Sequence, residues 1–268
     1  MRNDNARINV IGNEKEFGYV IGVLLGDGCI SEYKGTRQVA FSSIDREFTV
    51  FFNENLKAIF NKKIPIYIYI VKNSKYNNKP KYCLHLYSKK VYLFLKPKID
   101  NLNWIYKQND IFKMMVLKGL FDSEGFVSKE KSFCVSFSNT DEEIIKLFIK
   151  LCKEFDIETK RFKEYQYSNN CSSKQVKILP LHIEKFYTTI SGLTIKRKER
   201  KILKIINRIN NKKNMYEIAT NLRSNGYGNV KIFKFLKSRG YDLTISMVEG
   251  WLYSNKIPCI YKYKNQVQ

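Results

Sequence analysis

One arrangement occurs twice in this chain, and it restricts the fold more than any other feature. Val20-Ile21-Gly22-Val23-Leu24-Leu25-Gly26-Asp27-Gly28 and Leu117-Lys118-Gly119-Leu120-Phe121-Asp122-Ser123-Glu124-Gly125 share an apolar run, small residues four apart, and a carboxylate set against a glycine. Each run reads as a buried helix with the glycine as its left-handed C-terminal cap, which puts the acid in the last turn. There the helix macrodipole is negative and disfavours a carboxylate by roughly 0.3 to 1 kcal/mol. Two such violations at matching positions imply a positive group, most simply a divalent metal ion, between the two helix ends.

The repeat continues downstream. Phe41-Ser42-Ser43-Ile44-Asp45-Arg46-Glu47-Phe48 follows the first run and Phe137-Ser138-Asn139-Thr140-Asp141-Glu142-Glu143-Ile144 the second, each joining a strand end to an amphipathic helix. Thr140 and Glu143 have capping-box spacing, and Phe48, Phe51, Phe52, Leu56 and Ile59 follow a helical period. Ile64, Ile66, Ile68 and Ile70 then alternate with Tyr67 and Tyr69 as a strand, and Leu84 and Leu86 alternate with Lys81, His85 and Tyr87. In the second copy Phe133, Val135 and Phe137 face the core, Arg161, Lys163, Tyr165 and Tyr167 share a strand face, and Gln175 and Lys177 alternate with Val176 and Ile178. The expectation is an α+β protein of two pseudo-symmetric αββαββα halves, 14–101 and 112–210.

Residues 212–268 break the repeat. Helices are expected over 217–224 and 230–238, and a third from Thr244 as N-cap to about Asn255; the glycines between them suggest a small all-α helix-turn-helix unit.

The chain has 268 residues, with 48 Lys and Arg against 25 Asp and Glu, a formal net charge of +23. So large an imbalance repels itself unless a polyanion supplies counter-charge, and nucleic acid is the commonest such partner. An anionic membrane surface is the competing partner, but the apolar run ending at Gly26 is far short of the about 20 residues that span a bilayer. Without a signal-peptide core at Met1 to Asn5, the expected location is the cytosol or nucleoid, with an organelle matrix as another compartment. The six cysteines form no C-x-x-C pair, so neither a zinc site nor a disulfide framework is indicated.

The two acidic segments resemble the paired motifs of LAGLIDADG homing endonucleases in their single-chain, two-motif form, over residues 14 to 210. The resemblance implies two motif helices packed at a pseudo-twofold interface, and two sheets forming a saddle over double-stranded DNA. It implies a monomer that makes a double-strand break in a long DNA target by Mg²⁺-dependent phosphodiester hydrolysis. By position Asp27 and Glu124 would hold the metal, two or three Mg²⁺ ions at the interface, with the carbonyls of Gly26 and Ser123 as added ligands. Lys89 or Lys90 matches a basic residue that orders the attacking water, and Ser43 and Asn139 fall where the family often has a glutamine or similar polar residue near the metals. The first motif has Leu25 where the family often has aspartate; the second keeps Asp122. DNA contacts would come from Arg37, Tyr67, Tyr69, Lys81, His85 and Tyr87 in one half and Arg161, Lys163, Tyr165, Gln175 and Lys177 in the other. Thr244, Ser246, Glu249 and Lys256 of the helix-turn-helix would lengthen the site. The alternative is a protein that binds without cutting, as a DNA regulator or as a maturase with intron RNA as partner. Retention of both acids favours the nuclease.

Overall fold

The computed structural model describes residues 6–70, 79–128, 133–166, 172–253 and 258–261, with the side chains of 161–163, 165, 166 and 259 excepted. Its organising contact is between α1 (Glu14–Leu25) and α4 (Asp110–Glu124), the two acidic-motif helices. Residues Phe17 to Leu25 are all buried, which is why α1 is apolar on every side. Glycines make the approach possible. A Cβ at Gly22 would fall on the Val116 carbonyl oxygen, and one at Gly119 would lie 2.5 Å from the Tyr19 carbonyl oxygen and 2.7 Å from the Val23 nitrogen. Gly18 makes the same kind of contact with Phe112 one turn earlier, extending the small-residue stripe beyond the motif.

Each half repeats one connectivity. The first runs α1, β1 (Gly28–Tyr33), β2 (Thr36–Ser43), α2 (Arg46–Phe60), β3 (Ile66–Tyr69), β4 (Lys81–Tyr87) and α3 (Lys89–Asp100). The second runs α4, β5 (Gly125–Val127), β6 (Val135–Asn139), α5 (Glu142–Glu154), β7 (Thr159–Gln166), β8 (Ser172–Ile178) and α6 (Ile183–Thr189). Both sheets are antiparallel with equivalent order, β1-β2-β4-β3 and β5-β6-β8-β7. The registers match as well: Phe41 sits opposite Leu84, and Phe137 opposite Val176. One face of each sheet supplies the core, with Val39, Phe41, Leu84 and Leu86 in one and Val135, Phe137, Val176 and Ile178 in the other. The αββαββα order and the α+β class are therefore as the sequence indicated. No helix among the described residues is long and apolar enough to cross a membrane.

Several local expectations are corrected. Gly28 and Gly125 are not left-handed caps; neither has positive φ. The chain turns from helix directly into strand, and a Cβ would strike Leu24 Cδ2 at 2.7 Å in one case and the Phe121 carbonyl oxygen in the other. Lack of space, rather than backbone handedness, excludes a side chain there. The cap of α5 is Asp141, whose carboxylate accepts from the Glu143 N–H at 2.8 Å, and not Thr140. Ile68 and Ile70 are exposed while Ile64 is buried, because the core beneath β3 ends before the strand does.

The largest departure is α7 (Lys196–Ser224), a single helix of 29 residues. The segment expected to begin a separate helix at 217 is its last two turns, so the helix crosses the boundary expected near 211. Its end packs with α8 (Asn229–Ser238) and α9 (Ile245–Tyr253) around Met215, Ala219, Ile232, Leu236, Leu243, Val248 and Trp251. Thr244 does cap α9, its hydroxyl accepting from the Met247 N–H at 3.3 Å.

Gly119→Ala tests the helix contact. Alanine raises helix propensity by about 1 kcal/mol, yet its Cβ would collide with backbone that cannot rotate aside, and overpacking costs about 1 to 3 kcal/mol. A lower melting temperature is expected; an unchanged or higher one would show that α1 and α4 do not approach this closely.

Candidate active site between the two helix ends

The α1–α4 contact delivers the two acids to one place. α1 ends at Leu25 with Gly26 as its cap, so Asp27 lies just beyond the helix, and Glu124 is the last residue of α4. Gly26 packs against the other motif: a Cβ there would lie 2.5 Å from Ser123 Cβ and 3.4 Å from Glu124 Cγ. Burial pushes the Glu124 carboxyl above its usual range and the Asp27 charge pushes it further, while a nearby lysine, Lys198, opposes both. The Asp27 carboxyl is raised by lost hydration first and by Asp45 last, with Lys198 again opposing. Its side chain keeps an exposed surface, so the cluster is open on one side. Two carboxyls both raised by burial, one of them raised further by the other's charge, favour a cation between them.

Lys198 was not anticipated. Its Nζ donates to the carbonyls of Asp122 at 2.7 Å and of Phe121 and Ser123 at 3.3 Å, three acceptors in the last turn of α4. A lysine there satisfies orphan carbonyls and the negative dipole end together. Burial lowers its pKa to about 8, against the raising effect of Asp122, Asp27 and Asp45. The signal in the sequence is that Lys198 falls in phase with Ile202, Ile205 and Ile209, all buried on α7. Within the run from Lys196 to Lys201 it reads as one more solvated cation.

Around Lys198 is a network that uses both halves. Asp122, fully buried, accepts from Tyr19 Oη at 3.0 Å and from the Thr194 N–H at 3.1 Å. Lys118 donates to the Gly192 carbonyl, and Glu199 accepts from the Leu193 N–H at 2.6 Å. The loop before α7 is thus fixed by three charged side chains. From the first half, Asp45 pairs bidentately with Arg197, both contacts 2.8 Å. Asp45 precedes α2 without capping it, whereas its counterpart Asp141 caps α5. Leu25, where the second motif has Asp122, is buried among apolar groups.

The other anticipated site residues are placed differently. Lys89 and Lys90 form the exposed first turn of α3, behind a Ser88 cap that accepts from the Val91 N–H at 3.1 Å. Ser43 and Asn139 occupy matching positions, and each accepts the backbone N–H two residues on, at 3.1 and 2.8 Å. Those acceptors shape the turns into α2 and α5. Among the described residues no group of three or more His, Cys, Asp or Glu side chains converges as a metal cluster, so any ion would rest on Asp27, Glu124, nearby backbone oxygens and ligands from outside the protein.

The sheet faces turned away from the helices differ in chemistry. On the first, the register groups Tyr67, Tyr69, Lys81, His85 and Tyr87 with Ser31 and Gln38. His85 Nδ1 lies 3.4 Å from Gln38 Oε1, and the rings of His85 and Tyr87 stack at 6.0 Å. Arg37 is a correction: it shares the face of Val39 and Phe41, pairs with Glu32 at 2.8 Å, and lies over the Tyr92 ring of α3. On the second sheet Lys177 stands opposite Ser136 and Lys160, and Gln175 Nε2 donates to Ser136 Oγ at 3.1 Å. A bulge between Arg161 and Glu164 breaks the expected alternation, pairing Arg161 with Val176 but Tyr165 with Ser173. The side chains of Arg161, Lys163 and Tyr165, together with Tyr167 and Lys256, lie outside the described residues. In the C-terminal helices Thr244 and Ser246 are exposed, while Glu249 accepts from Asn229 Nδ2 at 2.9 Å.

Residues 112–224 match the model of a LAGLIDADG-like domain. Two uncharacterized proteins of Methanocaldococcus jannaschii are similar. MJ0314 is 28% identical over 170 residues, 61% of this chain and 62% of that protein. MJ0398 is 29% identical over 145 residues, 53% of this chain and 49% of that protein. The chain thus covers less than two thirds of either relative's length. Among solved structures, I-DmoI in complex with DNA and Mn shares the fold with a TM-score of 0.51 and 19% identity, over 66% of this chain and 97% of that one. Residues 112–224 thus form a LAGLIDADG-like domain, and the same acidic motif and sheet order recur in the first half of the chain.

Proposed function

We propose that this protein is a divalent-metal-dependent endonuclease that cuts both strands of a specific duplex DNA site, in the manner of a homing endonuclease. The observation that carries the reading is the meeting of Asp27 and Glu124 at adjoining helix ends, each held at a raised pKa. A protein that only bound DNA would gain nothing from two desolvated carboxylates facing a polyanion. I-DmoI, which has this fold, was solved with DNA and Mn.

The donors present fit a hard cation. Asp27 and Glu124 would hold it, with the carbonyls of Gly26 and Ser123 as added oxygen ligands, and Mg²⁺ suits so oxygen-rich and open a set. A divalent ion bound there supplies Lewis acidity for phosphodiester hydrolysis. The chain's own residues do the rest. Lys198 holds the end of α4 against the repulsion between the acids and brings positive charge beside the scissile phosphate. Asp122 and Glu199 fix the loop that delivers Lys198, and Arg197 with Asp45 ties that delivery to the other half.

Tyr67, Tyr69, Lys81, His85 and Tyr87 on one sheet, and Gln175 and Lys177 on the other, would line the DNA groove. Lys160 opposite Lys177 adds positive charge to that face, where phosphates would be attracted.

Three outcomes test this. Incubation with a randomised duplex library and Mg²⁺, followed by sequencing of the ends, should return one cut site with both strands broken. Asp27→Asn or Glu124→Gln should lower cutting by 10³-fold or more, on the order of 4 kcal/mol, while gel-shift affinity for the selected site stays within a few-fold. Binding without cutting by the unaltered protein would instead identify a non-cleaving regulator.

Lys198→Met should slow cutting by about 10²-fold, roughly 2.7 kcal/mol, with affinity preserved. A rate within twofold of the unaltered protein's would remove Lys198 from the mechanism.

Protons compete with metal for the two acids, whose metal-free pKa values are raised. Mn²⁺ affinity measured by calorimetry should therefore fall as pH is lowered through that raised range, with proton release on binding. A pH-independent affinity would place the ion elsewhere.

A further inference from the structure

A single helix joins the acid centre to the C-terminal helices, and the chain then ties those helices back to the second half. α7 gives Ile202, Ile205 and Ile209 to the main core and Met215 and Ala219 to the second cluster. No glycine or proline interrupts it, so it contains none of the usual causes of a hinge or kink. After α9 the chain returns to the main body. Ile260 is 1% exposed and belongs to the main core, and the turn Cys259–Tyr261 meets the turn Pro180–His182. The Tyr216 ring of α7 contacts Trp251 at 5.9 Å and Tyr261 at 5.6 Å. Two attachments at separate points remove the freedom that one tether would leave.

The direction of α7 is also fixed. It leaves the acid centre at Lys198 and runs beside β5. At Arg208 and Lys212 it reaches Phe133, the far end of the β5–β6 pair, whose ring lies 5.5 Å from the Arg208 guanidinium carbon and 5.1 Å from Lys212 Nζ. The C-terminal helices therefore lie past the outer end of the second sheet's first hairpin. Their exposed cations are Lys231, Lys234 and Lys237, spaced along one side of α8, with Arg239 after it. α9 carries no lysine or arginine.

We infer that the C-terminal unit is a rigidly mounted second duplex-DNA contact on one side of the cut. It meets the backbone through Lys231, Lys234 and Lys237 of α8 at fixed distance and helical phase from the phosphates at Asp27 and Glu124. The inference rests on the DNA function proposed above and gives it an asymmetry that the two pseudo-symmetric halves lack. At about 1.5 Å per residue α7 spans roughly 31 Å from Lys198 to Ala219, equivalent to about 9 base pairs at 3.4 Å each.

Hydroxyl-radical footprinting and salt titration of the full chain on its selected duplex, without divalent metal, test this. Protection should extend beyond the segment under the sheets on one side only. The triple variant Lys231→Gln, Lys234→Gln, Lys237→Gln should lose that outer protection alone and flatten the slope of log affinity against log salt by about 2 to 3, near 0.9 for each phosphate no longer neutralised. Inserting about 5 base pairs, half a helical turn, between the cut and the outer segment should weaken binding as much as the triple variant does. Outer protection that follows the inserted segment at undiminished affinity would show a flexible tether and overturn the inference. Protection confined to the sheets, with the triple variant unchanged, would overturn it while leaving the DNA function standing. No protection anywhere would overturn that function and this inference with it.

Discussion

The close approach of α1 and α4 is the constraint on which the rest depends. Helices ordinarily pack 8 to 10 Å apart according to the side chains between them, and here Gly18, Gly22 and Gly119 put backbone against backbone. Only at that separation do Gly26 and Ser123 touch, and only then does Glu124 feel the charge of Asp27. A pair of apolar helices with leucine at the glycine positions would still form a core. Its terminal acids would be too far apart to act on one another.

The second consequence is electrostatic. Two carboxylates, a buried Asp122 and a buried Lys198 gather in a region from which water is partly excluded, and buried charges are costly unless paired and hydrogen-bonded. The molecule satisfies them with backbone: three α4 carbonyls for Lys198 and the Thr194 N–H for Asp122. This arrangement exists once. The first motif's Leu25 cannot take the role of Asp122, and the first half gives up its Asp45 to hold Arg197. A chain that repeats its fold twice therefore braces the end of one motif helix with a lysine delivered from α7, after both repeats.

Much of this is legible in the sequence alone. The doubled motif, the αββαββα order and the face of the first sheet that carries Tyr67, Lys81, His85 and Tyr87 all follow from periods of 3.6 and 2 acting over a few residues. What failed did so for identifiable reasons. Arg37 has the parity of Val39, but a charged residue at a strand start reads as solvent-facing when it instead snorkels to Glu32 and the Tyr92 ring. The β7 bulge moved the register by an amount no alternation pattern encodes.

The sequence by itself determined the repeat, the class of fold, the two acids and the positive charge of the molecule. Each of these depends only on which residues are near in the chain. The identity of the buried lysine, the bracing of its loop and the clasp of Ile260 onto the main core were decided by tertiary structure. Apart from Glu199, which reaches back six residues to Leu193, they depend on residues far apart in the chain, Lys198 with Ser123 and Asp45 with Arg197 among them. Local pattern assigns a cation to the solvent by default, and only packing of one helix against the end of another reveals that a particular one is held inside.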